Sequence, residues 1–164
     1  MIARPGVTTW YLEMTDPGQL RPAKSVDGLE IRRLEPPDPE LSRRLYAEVG
    51  GPWQWTDRLE WDLERWRMHV ERPEVETWLP MLGDEAVGYA ELVREGYVVE
   101  LASFGLLPGF AGRGIGGALL AAVTEDAWQR GAQRVWLHTC SLDSAAALPG
   151  YERRGFRRYH EERG

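Results

Sequence analysis

The chain has 164 residues, a formal net charge of −6 and ordinary apolar and charged shares. That fits one domain with one sizeable core, and it argues against a general nucleic-acid binder, which needs a basic face. A single cysteine, Cys140, excludes an intramolecular disulfide and fits a reducing, cytoplasmic setting, while the absence of a basic-then-apolar leader and of any run of about 18 apolar residues argues against a signal peptide or a membrane span.

Thr8 to Met14 carries strand-forming residues. Asp16 to Asp27 holds two prolines, one glycine and few apolar residues, and reads as a loop. Gly28 to Glu35 alternates Leu29 and Ile31 with charges and reads as a strand. Pro36, Pro37 and Pro39 suit a helix start, and Glu40 to Val49 reads as that helix, stopped by Gly50, Gly51 and Pro52. Trp53 to Trp55 is an aromatic loop. Asp57 to Val70 places Leu59, Leu63, Trp66 and Val70 at helical spacing, which predicts an amphipathic helix closed by Pro73. Three strands follow. Val75 to Leu82 contains Pro80, which pushes it toward a sheet edge or a bulge. Ala86 to Val93 comes after the Gly83-Asp84 turn, and Tyr97 to Leu107 ends at Pro108. Ile115, Leu119, Leu120, Val123 and Ala127 mark one face of a helix ending near Arg130, with Gly131 as its stop. Arg134 to Thr139 reads as a strand, Ala145 to Arg154 as a helix, and Phe156 to His160 as a last strand.

This order predicts a single α+β domain with a mixed sheet. Adjacent strands imply antiparallel hairpins, and the strand–helix–strand unit over 97–139 implies one right-handed parallel crossover. Residues 1–27 form a strand and loop extension to a core over 28–164.

Five glycines fall between Gly109 and Gly117. Gly112-Arg113-Gly114-Ile115-Gly116-Gly117 follows a strand and opens a helix, where glycines allow close backbone approach and the free N–H groups of the first turn attract an anion. Arg113 would add a positive charge. Gly112, Gly114 and Gly117 also satisfy the dinucleotide pattern G-x-G-x-x-G, but a doubly wound fold would place that loop early in the chain. No Gly-Lys-Ser/Thr triplet exists for a P-loop. A bare turn without ligand remains the plain alternative.

The segment Phe104-Gly105-Leu106-Leu107-Pro108 through Arg113-Gly114-Ile115-Gly116 resembles motif A of the GNAT superfamily of N-acetyltransferases. Tyr151-Glu152-Arg153-Arg154-Gly155-Phe156 resembles its motif B, Tyr-x-x-x-Gly-Phe. Together they cover roughly residues 97–160, in the family's order. The resemblance implies a mostly antiparallel mixed sheet with helices on both faces and one parallel strand pair splayed around a cleft for acetyl-CoA. It implies pantetheine pairing along Phe104, Leu106 and Leu107 and the pyrophosphate on Gly112, Arg113, Gly114, Ile115, Gly116 and Gly117. Arg113 is then the only charged side chain inside the cradle. Two positions depart from the family: Ala111 stands where Gln or Arg is usual, and Ser144 where Asn is frequent. Ser144 keeps a hydroxyl for the cofactor arm.

Amine acylation needs a base for the ammonium proton, a polarised thioester carbonyl and an acid for the leaving thiolate. Glu100, a carboxylate in the apolar run Val98-Val99-Glu100-Leu101-Ala102, is either solvated or functional, and burial would raise its pKa toward a base's range. The resemblance implies that Glu100 is the general base and Tyr151 the general acid; a packed Tyr151 bonded elsewhere is the plainer reading. His138 is a second candidate base or substrate contact. Cys140 shares its strand face, but no third group orients a Cys–His nucleophile. His69 and His160 lie far from each other, and no metal-ligand spacing occurs.

Trp53 and Trp55 sit in a loop without helical periodicity, so they are candidates for an aromatic acceptor wall. Asp57 or Arg58 would anchor a polar end of the acceptor, unless Asp57 only caps the following helix. The expected reaction is acetyl transfer from acetyl-CoA to a primary amine of a small molecule, with no metal. Nucleic acid and membrane are not expected partners, and a homodimer is open because Thr8 to Met14 could pair with a neighbour. Acetylation of a protein N-terminus or lysine, or non-catalytic CoA sensing, are the alternatives; retention of both Glu100 and Tyr151 counts against sensing.

Overall fold

The computed structural model describes residues 4–164. The strands are β1 (Thr8–Met14), β2 (Leu29–Arg33), β3 (Val75–Leu82), β4 (Glu85–Ala86), β5 (Gly88–Glu95), β6 (Val98–Leu106), β7 (Arg134–Cys140) and β8 (Arg157–Arg163). The helices are α1 (Pro39–Gly50), α2 (Leu63–Val70), α3 (Ile115–Gln129) and α4 (Ala147–Arg153). The strands form one sheet in the order β2-β3-β5-β6-β7-β1-β8, with β4 pairing to β3. Every pair is antiparallel except β6 with β7. The α+β class, the mixed sheet and the helices on both faces are therefore as the sequence predicts.

Alternation sets the two layers. On β7, Val135, Leu137 and Thr139 are buried while the intervening residues are half-buried. One face of the sheet packs against α3 and Tyr151 of α4, through Leu119, Leu120, Val123, Val99, Leu101 and Phe156. The other packs against α1 and α2, through Leu45, Tyr46, Val49, Trp66 and Val70. The N-terminal strand pairs within its own sheet, between β7 and β8.

Three expectations are corrected. The helix predicted over Asp57 to Val70 is only α2; residues 57–60 form a turn, and the cap is Asp62, whose side chain accepts from Arg65 N–H. Asp57 caps nothing and pairs with Arg4 at 3.7 Å. The turn is required because Arg58 bends inward to a buried carboxylate, as described below. Pro80 does not make β3 an edge: β3 lies between β2 and β5. Its ladder to β5 covers only Val75 to Trp78, and at Pro80 the carbonyl instead accepts from Val87 N–H, so the proline sits where that ladder breaks.

The parallel pair matters most for the site. β6 and β7 are in register only from Val98–Arg134 to Glu100–Trp136, although both strands run on for several residues. From Leu101 onward the β7-facing edge of β6 has no strand partner, so the two strands part. Backbone groups on that edge are left open to whatever enters the gap.

Candidate functional site

A cavity of about 940 Å³ opens at this divergence, within the size range of small-molecule sites. One wall is the end of β6, Ala102 through Leu107, followed by the glycine loop; another is the β7–α4 connection with Tyr151; the third is the segment from Pro52 to Arg58.

The loop is shaped by backbone that only glycine adopts readily: Gly112 and Gly114 have φ of 79° and 82°. Gly114 is the N-cap of α3 and gives it no side-chain cap, so the first-turn N–H groups point outward unsatisfied. Gly116 and Gly117 have ordinary helical backbone, and a Cβ on either would meet no protein atom closer than 3.8 Å. The fold itself would accept side chains there. Their absence widens the cavity that both line, which is what close approach of a phosphate to helix N–H groups requires.

Of the residues predicted for the cofactor, Phe104, Leu106, Leu107, Gly112, Gly114, Gly116, Gly117 and Ser144 line the cavity. Ile115 is fully buried in the core, so only its backbone serves the loop. Arg113 does not line the cavity; its guanidinium stacks over Phe110 at 5.4 Å. The cations on the wall near motif B are Arg153 and Arg154. Arg154 donates to the Pro22 carbonyl at 2.6 Å, leaving Arg153 as the exposed one. In this arrangement Arg113 lies off the cavity lining while Arg153, at the end of α4, is on it.

Glu100 and Tyr151 line the same cavity. Desolvation raises the Glu100 carboxyl above the ordinary carboxylate range; the Arg58 charge opposes this, and the Glu91 and Glu95 charges reinforce it. The Tyr151 ring packs against Phe104 at 5.8 Å and Phe156 at 6.4 Å. Burial, then the Asp143 carboxylate, push its phenol up, so it stays protonated at neutral pH. Burial lowers His138, keeping its imidazole largely neutral. Burial likewise raises the Cys140 thiol, which disfavours the thiolate a nucleophile needs.

Trp53, Trp55, Asp57 and Arg58 line the cavity as well. Trp53 is exposed. Trp55 is partly packed: its ring covers Gly50 and Gly105, lies 5.6 Å from Tyr46, and its Nε1–H donates to Asp143 Oδ1 at 3.3 Å. Asp143 also accepts from the Thr139 hydroxyl and, at 3.0 Å, from Cys140 N–H. It thereby ties the tryptophan wall to the β7–α4 connection across the cavity.

Arg58 is not a free anchor for substrate. Its two terminal nitrogens each donate at 2.9 Å to Glu91, which is fully buried on β5, and His69 Nε2 sits 2.9 Å from the same carboxylate. The guanidinium lies 4.9 Å over Trp61 and 5.5 Å over Trp66. These donors outweigh desolvation and hold Glu91 below the usual carboxylate range. Removing one partner would strand a buried charge, at a cost of about 3–5 kcal/mol. Glu91 was not singled out from sequence, although it interrupts the apolar run Tyr89-Ala90-Glu91-Leu92-Val93 much as Glu100 interrupts its own.

The chain was compared with known proteins. No curated protein sequence matches it. Among solved structures, a GCN5-related N-acetyltransferase from Sphaerobacter thermophilus superposes with a TM-score of 0.76 at 22% identity, over 96% of this chain and 50% of that one. A GCN5-related N-acetyltransferase from Kribbella flavida gives 0.68 at 21%, over 95% and 58%. The chain thus spans about half the length of these two proteins. An aminoglycoside acetyltransferase from an uncultured soil metagenomic sample, in complex with sisomicin, gives 0.64 at 16%, over 77% and 87%. At such identities the likeness is one of fold. The sequence itself matches the model of the acetyltransferase (GNAT) family over residues 30–156, a span that includes the parting strands, the glycine cradle and the Tyr151 motif, and the chain therefore belongs to the GNAT acetyltransferase family.

Proposed function

We propose that the protein transfers an acetyl group from acetyl-CoA to a primary amine of a small molecule, with Glu100 as general base and Tyr151 as general acid. The observation that carries this reading is that one cavity gathers the glycine cradle, the open edge of β6, Glu100, Tyr151 and the tryptophan wall. Bound acetyl-CoA supplies the thioester carbonyl. The cradle N–H groups hold its pyrophosphate, and the open edge of β6 pairs with its amide-bearing arm. Glu100, with its raised pKa, accepts a proton from the acceptor nitrogen, directly or through one water, as the new N–C bond forms. Tyr151, protonated at neutral pH, gives its proton to the sulfur as the C–S bond breaks. The acceptor lies against Trp53 and Trp55, whose faces suit a cation or an aromatic ring.

The test is thiol release from acetyl-CoA across a panel of primary amines. Release no faster than hydrolysis with every amine, or no acetyl-CoA binding by calorimetry at millimolar concentration, overturns the reading. With the best amine, Trp53→Ala is expected to raise the acceptor KM by about tenfold with little change in acetyl-CoA affinity; an unchanged KM removes Trp53 from the wall. Tyr151→Phe is expected to slow turnover by about 10- to 100-fold while acetyl-CoA binds as before. Wild-type turnover in that variant removes the acid role.

A further inference from the structure

Two carboxylates share one face of the sheet beside the cavity. Glu100 pairs across β6–β5 with Val93, and Glu91 is two residues from Val93 on the same face. The ladder shifts register between Glu91 and Leu92; on a regular ladder such diagonal neighbours lie about 7–8 Å apart. Two glutamates that close, both withdrawn from water, cannot both ionise freely. Glu91 is fully buried and takes two hydrogen bonds from Arg58 and one from His69. Glu100 has no hydrogen-bond or ion-pair partner of this kind among the described residues. Arg58 comes from the turn that also carries Trp55 and Asp57, so the same ion pair pins the tryptophan wall to the sheet. The aromatic rings of Tyr46, Trp61 and Trp66 surround the guanidinium, at 5.8, 4.9 and 5.5 Å.

We propose that Arg58 and Glu91 are positioning residues for the acyl transfer: their fixed ion pair neutralises the second carboxylate on this face and sets the protonation of Glu100. The catalytic consequence rests on the reading of Glu100 as base, but the electrostatic claim stands without it. The charged or titratable groups around Glu100 and the pair are Tyr46 from α1, Asp57 and Arg58 from the turn, His69 and Arg72 from α2 and its end, Tyr89, Glu91 and Glu95 from β5, and His138 from β7. Of these, the Arg58 cation acts on Glu100 to favour the carboxylate, and the Glu91 charge acts to favour the acid. The two members of the pair therefore pull in opposite directions.

That opposition supplies the test. In protein with ¹³C-labelled glutamate carboxyls, the Glu100 resonance is assigned by its loss in Glu100→Gln and titrated across the acid and neutral range. Glu91→Gln leaves the Arg58 charge unbalanced and is expected to move the Glu100 midpoint down by about 0.5–1 pH unit. Arg58→Met is expected to move it up by a similar amount. The double variant Arg58→Met/Glu91→Gln, which removes both charges and strands neither, is expected to return it near the wild-type value. A merely structural role predicts shifts of one sign in both single variants, or none, and either result overturns the proposal. If Arg58→Met fails to fold, Glu91→Gln and the double variant still decide: an unmoved or raised midpoint in Glu91→Gln, or a double variant no closer to wild type than Glu91→Gln, overturns it. Loss of the pH dependence of turnover in Glu100→Gln is a separate measurement, so failure of the base assignment is told apart from failure of the tuning.

Discussion

Glu100→Gln is expected to lower turnover with a working amine by about 10²–10⁴-fold and to flatten its rise with pH. With Glu100 as the proposed base, the wild-type rate is expected to climb as the carboxyl loses its proton, and desolvation raises that step above the ordinary carboxylate range. The same shift fixes the sign of the stability effect. A carboxyl whose pKa is raised on folding contributes stability that is present below its unfolded pKa and lost as pH rises through its folded pKa. The wild-type protein therefore carries the cost of an ionised Glu100 at neutral pH, and Gln does not. The variant is expected to melt at the same temperature or higher at neutral pH, with the difference vanishing in acid. A pH–rate profile and a melting series at several pH values check both halves. A variant that keeps its pH dependence removes Glu100 from the base role. One that melts markedly earlier at neutral pH shows that the side chain serves packing instead.

The double substitution Gly116→Ala/Gly117→Ala separates the fold from the ligand in a similar way. Both positions have ordinary helical backbone and room for a Cβ. Alanine in a helix is favoured over glycine by up to about 1 kcal/mol per position, although the first turn gains less than an interior. Stability is expected to hold or rise. The added methyl groups project into the cavity against the uncapped N–H groups of α3, so acetyl-CoA affinity is expected to fall by about 10- to 100-fold. Calorimetry and thermal melting on one preparation read the two effects. Unchanged affinity removes the cradle from cofactor binding. Gly155 offers a contrast: it has φ of 109°, and a Cβ there would overlap the Gln19 carbonyl. Its place in the Tyr-x-x-x-Gly-Phe motif follows from packing rather than from the ligand.

Local chemistry made most of the architecture readable in advance. The helix α3 declares itself by a continuous apolar stripe, and β1 by its run of strand-forming residues. The error over Asp57 to Val70 shows where this stops. Leu59 falls at helical spacing from Leu63, but it is exposed, and a long-range ion pair overrode the local pattern. Glu91 escaped notice for the same reason: Arg58 and His69 lie 33 and 22 residues away. A lone acid in an apolar strand reads the same whether it faces a cation or a cleft, and only tertiary geometry separates Glu91 from Glu100. The motif does not specify the side-chain direction of Arg113, which in the fold stacks on Phe110. The motifs named the site's elements, and backbone geometry decided which side chains enter it.

The position of β1 has a consequence for how the chain reaches this state. It lies between β7 and β8, so among the described residues a strand from one end of the chain order is flanked by the two from the other. Pairings of such sequence separation form slowly, because the long loop must close before they yield any stabilisation. Until β7 and β8 emerge, β1 is an unpaired strand carrying Trp10, Tyr11 and Leu12, with both edges open to a neighbouring nascent chain. Glu13, charged and later paired with Arg134 at 2.8 Å, is the gatekeeper in that strand. It costs little in the finished sheet and makes premature edge-to-edge association less favourable during synthesis.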